Sequence, residues 1–313
     1  MSDDGLTMGI DVSKLWLDIA VAECPDGWRL SNDPAGWADL VEWCRTRKVR
    51  AIGLEPSGGY ERNVVGALQR ADLPVRVLNS HRVRQYAGAL GILAKTDQID
   101  ARLIARYTAA LPTRSPRPHD PLIALMAELV NARRQITEDK VRLGNQEAQV
   151  HDPVLRRMIT HRLRRLQAEL LLIDKRLAQI VASDAGLCAK DRLIQSFKGA
   201  GPVLSYTLLA LLPEIVDLDR RQIAALTGLA PYDDQSGKRT GKRSIWGGRA
   251  PVRKVVYMAA LTAAHHNPVL RTFHQRLIAD GKSPKVAIVA VARRMLGIII
   301  ALLKTGQKWN PQH

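Results

Sequence analysis

Near the start of the chain, TMGIDV and WLDIAVA alternate apolar and polar positions on either side of Ser13-Lys14. A period of two over such short runs predicts two antiparallel strands joined by a tight turn. VRAIGLE and LPVRVLN read as further short strands, each preceded by helix-like sequence, from Gly36 to Arg45 and from Glu61 to Arg70. Strands first, then helix and strand in alternation, give a mixed α/β layer. The rhythm breaks at LPTRSPRPHDP, residues 111–121, where four prolines and no apolar period mark an extended linker. After it the period becomes seven, with Leu122, Leu129, Ile136, Leu143 and Val150 in one series. Beyond His151-Asp152-Pro153, Ile159, Leu163, Leu166, Leu170, Ile173, Leu177 and Ile180 keep steps of four and three. This predicts a helical hairpin of coiled-coil character, and the pattern stops near Ala185-Gly186. Three segments follow: an α/β segment over 1–119 with its linker from 111, a hairpin over 120–185, and a mostly helical segment over 186–313.

Composition changes this picture in two ways. Of 313 residues, 46% are hydrophobic and only 4% aromatic, so the core must be built from Leu, Ile, Val and Ala. The net charge of +17 points to a polyanionic partner, with nucleic acid first, because each Lys or Arg placed on a phosphate releases a condensed counterion. Residues 186–313 hold 20 Lys and Arg against 7 Asp and Glu, so +13 of the charge sits there. Asp139 and Gln146 fall at core positions of the first heptad helix, leaving its seam imperfect. That seam either takes a partner chain or RNA, or belongs to a plain bundle spacing two domains. The longest apolar run, Val286 to Leu303, carries Arg293 and Arg294 at its centre, which would be costly in hydrocarbon, so it reads as a buried helix and no membrane partner is expected. Cys24, Cys44 and Cys188 are odd in number and far apart, which supports neither a disulfide framework nor a zinc ribbon. With an acidic opening, MSDDGLTMG, that lacks an apolar stretch, a cytoplasmic location is expected.

Carboxylates supply the first candidate chemistry. Asp11 shares a strand face with Gly9, and Glu55 shares one with Gly53, while their neighbours Met8, Ile10 and Val12 point the other way. In AKTDQIDARLIARY a helix beginning near Thr96 would put Asp97 and Asp100 one turn apart, beside an apolar stripe of Ile99, Leu103 and Tyr107. Like charges at that spacing destabilise an isolated helix. Taken singly, each acid has an ordinary reading, at a helix N-terminus or a solvated strand end. Together, two strand acids and a helical pair form an oxygen-rich set suited to Mg2+, which takes hard ligands and handles phosphates.

The basic segment supplies the second. In FKGAGPV, Gly199 and Gly201 precede a helix-like run, and backbone N–H groups there are placed to hold a phosphate, although Gly-x-Gly-Pro is also an ordinary turn. PYDDQSGKRTGKRSIWGGRAPVRK contributes Lys238, Arg239, Lys242, Arg243, Arg249, Arg253 and Lys254, with interspersed glycines that let a ligand approach the backbone. Ser236 stands at its start and has no activating base adjacent in sequence; His265, His266 and His274 could serve only if the fold returns them.

MGIDVSK, GLEPSGGY, AKTDQIDARLIARY, GAGPV and LAPYDDQSGKRTGKRSIWGG, in this order, closely resemble the DEDD transposases of the insertion-sequence one-ten family, from about Met8 to Pro311. The resemblance implies an α/β domain of RuvC-like, RNase H type, with Asp11, Glu55, Asp97 and Asp100 as its acidic tetrad around Mg2+. It implies that Ser236 is the nucleophile that joins covalently to DNA, with Lys238 and Arg239 at the scissile phosphate. It further implies a structured non-coding bridge RNA that pairs with donor and target DNA, and dimers paired into a tetramer through the hairpin. Two other readings stay open: a metal-dependent nuclease or junction resolvase that activates water without a covalent intermediate, and a non-catalytic nucleic-acid-binding protein.

Overall fold

The computed structural model describes residues 5–311 apart from Pro25, Leu93, Lys95, 111–119, Asp234, Gly237, Lys238, Gly241 and Lys242; the side chains of Gln235, Ser236, Arg239 and Thr240 are also outside the description. The chain divides into two compact units, 1–119 and 120–313.

The first unit is a five-stranded sheet with helices on its two faces. Leu6–Val12 (β1) and Trp16–Val21 (β2) form the expected antiparallel pair, turned by Ser13, whose hydroxyl both donates to the Trp16 carbonyl and accepts from its amide. Gly27–Ser31 (β3) adds an antiparallel edge strand. Pro34–Thr46 (α1), Val49–Leu54 (β4), Glu61–Arg70 (α2) and Val75–Val77 (β5) follow, and β4 and β5 run parallel to β1. The strand order is β3-β2-β1-β4-β5. Met8, Ile10 and Val12 point to one face, where Leu17, Ile19 and Ile52 join Leu40 and Cys44 of α1 and Val64 and Leu68 of α2 in a fully apolar layer. The other face carries Gly9 and Gly53, and Asp97–Ala110 (α4) lies on it. Ser80–Ala89 (α3) packs beside α4 through Val83, Ala87, Leu103 and Tyr107. The pattern-based reading contains neither β3 nor α3. One is a half-exposed edge strand, and the other, SHRVRQYAGA, buries only Val83 and Ala87, so neither carries a strong apolar period.

The second unit begins with the expected hairpin, Pro121–Glu147 (α5) and Pro153–Ser183 (α6), each started by an aspartate that caps two backbone amides ahead of a proline. Its register is written in polar rungs: Arg133 to Asp174 at 2.6 Å, Lys140 to Gln167 at 2.5 Å, and Thr160 to Glu147 at 2.6 Å. Successive rungs step seven residues up α5 and seven down α6, which is the spacing of an antiparallel pair that keeps one seam. The segment division at residue 185 needs correcting in one respect. Met126, Val130, Leu177, Ile180 and Val181 at the root of the hairpin share one core with Phe197, Leu204, Val256 and Met295, so 120–313 packs as a single unit.

That core is completed by Ala185–Ser196 (α7), Pro202–Leu211 (α8), Arg220–Leu226 (α9), Ala250–His266 (α10), Pro268–Ala279 (α11) and Pro284–Thr305 (α12). α12 is long and apolar enough to cross a membrane by length and composition, yet Ala287, Val291, Met295 and Ile299 are fully buried inside the unit. The apolar run therefore serves as the core helix expected from its central arginines. Between α9 and α10 a short antiparallel arm rises: Pro231–Tyr232 (β6) pairs with Ser244–Ile245 (β9), and Gln235–Ser236 (β7) with Arg239–Thr240 (β8).

Candidate active site

The sheet face opposite the apolar layer explains the placement of the acids. A Cβ on Gly9 would lie 2.2 Å from the Ala101 carbonyl oxygen and the Ala105 amide of α4, and one on Gly53 would lie 1.9 Å from the Thr108 hydroxyl. Only glycine lets the helix rest this close to β1 and β4. The two strands run side by side with Gly9 opposite Gly53 and Ile10 opposite Leu54, so Asp11 and Glu55 come next in adjacent strands. α4 starts at Asp97, where the Thr96 hydroxyl accepts from the Ile99 amide, and this sets Asp97 and Asp100 over the same strand ends. Asp11, Glu55, Asp97 and Asp100 line one cleft of about 410 Å3 with Ser80, Val83 and Arg84 of α3 and Leu103. Behind Glu55, the loop through Ser57 and Gly59 is pinned by their amides, which donate to the Glu61 carboxylate at 2.9 Å. Burial works to raise Glu61, and these donors outweigh it and hold the group below the usual glutamate range.

Asp11 is the electrostatic centre of the cleft. Its pKa is pushed up to about 6, first by burial and then by the charges of Asp100, Asp97, Asp18 and Glu55. A carboxylate raised by four surrounding acids is a place where a divalent cation lowers the energy of every group at once. The donors are all oxygen, which fits a hard ion. Among the described residues no three acids, histidines or cysteines stand close enough to grip an ion unaided. An ion such as Mg2+ takes only one or two carboxylates and completes its shell with water and phosphate, so the open arrangement suits a site finished by its substrate.

The structure adds two residues that the sequence reading missed. Asp18 lies directly across from Asp11 on β2 and is 4% exposed; Arg29 lies across from Asp18 on β3. Arg29 forks onto Asp18 with two bonds of 3.0 Å and reaches Asp97 at 3.4 Å. Like charges directly opposite one another destabilise a sheet. Arg29 offsets this and links β3 to the first residue of α4. The alternation of WLDIAV places Asp18 on the Asp11 face, but its partner follows only from strand register.

The second unit holds the remaining candidates. Ser236 stands on β7 opposite Arg239, at the outer end of the arm. Its side chain and that of Arg239, together with Lys238 and Lys242, lie outside the described residues. Gly199 and Gly201 sit in the α7–α8 connection; Gly199 has φ +112°, and Gly201 caps α8 without a side chain. Arg243 forms an ion pair with Asp233, and Lys254 pairs with Glu138 of α5 at 3.0 Å. Arg249 donates to the Leu211 carbonyl at 2.7 Å and pairs with Glu214, and Arg253 donates to the carbonyls of Gly228 and Gly247. These last two guanidiniums tie the base of the arm to the helical core. His265, His266 and His274 lie on α10 and α11, and the Arg271 guanidinium donates to the His265 carbonyl.

Comparison with known proteins meets this geometry at both ends of the chain. The profile of the DEDD IS110 transposases matches residues 8–152, which include all four cleft acids, and that of the transposase IS116/IS110/IS902 family matches residues 191–275, which include the arm. The pilin gene-inverting protein of Moraxella bovis is 25% identical over 97% of this chain and 97% of its own length. A 44.8 kDa protein of insertion element IS116 from Streptomyces clavuligerus is 25% identical over 98% of this chain and 97% of itself. A 42 kDa protein of IS900 from Mycobacterium paratuberculosis is 26% identical over 84% of this chain and 62% of itself. With both halves matched by profiles of the family, and the pilin gene-inverting protein and the IS116 protein matched over almost their full length, the chain belongs to the IS110 family of transposases, enzymes that cut and rejoin DNA.

Proposed function

We propose that this transposase is an RNA-guided, site-specific recombinase that moves its own insertion sequence through a phosphoserine intermediate at Ser236. The observation that carries the reading is the convergence of Asp11, Glu55, Asp97 and Asp100 on one cleft. An antiparallel three-strand meander followed by two parallel strands, with a helix laid on the acidic face, supports a RuvC-like, RNase H-type domain. In this reading one or two carboxylates of this set would hold each Mg2+, with the remaining charge of the cleft favouring the ion, and the metal would supply charge neutralisation at the scissile phosphate. Ser236 Oγ attacks phosphorus and gives up its hydroxyl proton, the bond from phosphorus to one DNA oxygen breaks, and that oxygen takes up a proton and leaves as a hydroxyl, so that protons balance over the step. The serine ester retains the bond energy, so a second DNA hydroxyl can displace the serine without hydrolysis. Lys238, Arg239, Lys242 and Arg243 position the phosphate.

Sequence choice falls to a bridge RNA encoded by the element, which pairs with donor and target DNA while the protein reads backbone and shape. The α5–α6 hairpin acts as a coiled coil that joins protomers into dimers and tetramers, and the reaction takes place in the cytoplasm at the nucleoid. The test combines element-end DNA, the flanking non-coding transcript and Mg2+, followed by a denaturing gel. A protein–DNA adduct absent from Ser236→Ala supports serine recombination. Metal-dependent cleavage without an adduct, unchanged by that substitution, replaces it with a RuvC-like nuclease or junction resolvase.

A further inference from the structure

The aromatic contacts of this chain are mostly sheltered, as in Phe197 against Trp309 or Tyr86 against Tyr107. One is not. Tyr232 and Trp246, at the base of the Ser236 arm, are 39% and 61% exposed, with ring centroids 5.3 Å apart and planes inclined by 53°. Strand register produces the pair: Tyr232 is opposite Ser244, and Trp246 is two residues further along the same side, the diagonal contact at which large rings meet. The base beneath them is fixed. Arg253 bonds the carbonyls of Gly228 and Gly247, the Arg249 amide donates to the Leu226 carbonyl at 2.7 Å, and a Cβ on Gly248 would lie 2.2 Å from the Gly228 amide. Gly247 and Gly248 both take left-handed backbone, at φ +71° and +62°, which only glycine adopts without strain. Two large rings are thus held on a tethered stem and left open to solvent, Tyr232 four residues before Ser236 in the chain and Trp246 ten after it, on either side of a run of lysines and arginines.

We infer that Tyr232 and Trp246 form a stacking platform for one unpaired nucleobase of the DNA strand that Ser236 attacks. The inference rests on the recombinase reading above and adds a base-binding subsite to it. The charge of the surrounding residues draws in a polyanion, but the rings need a π-face, which a duplex keeps inside its stack and an unpaired base offers to any aromatic side chain. Stacking accepts every base, so the platform holds a strand without choosing its sequence and leaves that choice to pairing elsewhere. A base held on the stem fixes the neighbouring phosphate relative to the arm.

The test uses the full chain without divalent metal, so that DNA is bound but not cut. Affinity is measured by anisotropy for a mixed-sequence single strand and for its duplex. Trp246→Ala should weaken single-strand binding about tenfold, Trp246→Phe should keep most of it, and duplex binding should change less than twofold. A second measurement leaves the protein unmutated: 2-aminopurine walked along the strand should be quenched at one position, and an abasic site there should reproduce the loss without adding to Trp246→Ala. Equal single-strand affinity in all variants, or no quenched position, overturns the platform alone. A wild-type chain that binds neither DNA form even with the flanking non-coding transcript present overturns the recombinase reading as well.

Discussion

A buried carboxylate facing another across a strand pair is unfavourable unless a cation meets it, and at Asp18 that cation is Arg29. Arg29→Ala should therefore destabilise the fold by roughly 2–3 kcal/mol in a denaturant titration, less than for a wholly buried pair because the guanidinium is half exposed. Combining it with Asp18→Asn should restore most of the loss, because no uncompensated charge is left. Asp11 makes the complementary prediction. A free aspartate titrates near 3.9 and Asp11 at about 6 in the fold, so its neutral form is favoured by folding. The stability it contributes is full below the lower value and is lost as pH rises through the upper one. Metal-free protein should then melt higher at pH 5 than at pH 7.5, and Asp11→Asn should shrink the difference. A millimolar divalent cation should reverse the trend at pH 7.5, and a thermal melt with and without EDTA reads all three.

At the scale of elements, the decisive contact is α4 on the glycine face of β1 and β4. The obstructing atoms at Gly9 are backbone, so an added methyl forces the helix to move rather than a side chain to rotate. Gly9→Ala should cost about 1–3 kcal/mol, the usual range for overpacking. It should also shift Asp97 and Asp100 from Asp11, reducing metal-dependent cleavage far more than the melting temperature suggests. A variant with normal cleavage would show that the cleft tolerates this movement. Much at this scale was legible from pattern: the β1–β2 hairpin, β4 and β5, the start of α4 next to Thr96, and the two hairpin helices all follow from period and caps. β3 and α3 were not, because edge position and a short, arginine-rich helix weaken the period. The arm of β6 to β9 reads as a loop, since two-residue ladders have no period at all.

At the scale of the molecule, the hairpin shows how heptads divide their work. Ile159, Leu170 and Leu177 are buried within the chain's own unit, whereas Leu171 and Leu172 of α6 are 62% and 67% exposed. Substituting Leu170 would damage the folded unit itself and would say little about assembly. Replacing Leu171 and Leu172 by glutamate should leave the circular dichroism spectrum unchanged and, if the hairpin joins protomers, reduce the particle size on DNA by light scattering. An unchanged particle would remove the hairpin from the assembly.

The sequence by itself determined which residues carry charge and chemistry, where the period of the chain changes, and, through the order of its motifs, the family. Those properties are local or additive, so they can be read without coordinates. Tertiary structure decided what depends on register and close approach. It placed Asp18 beside Asp11 and Arg29 across from it, pressed α4 onto two glycines so that four acids share a cleft, and merged the hairpin root with the C-terminal core. It also turned Arg249 and Arg253 toward carbonyls and set two exposed rings at the foot of the serine arm. Each of these joins residues far apart in the chain, and a one-dimensional pattern holds no distance between them.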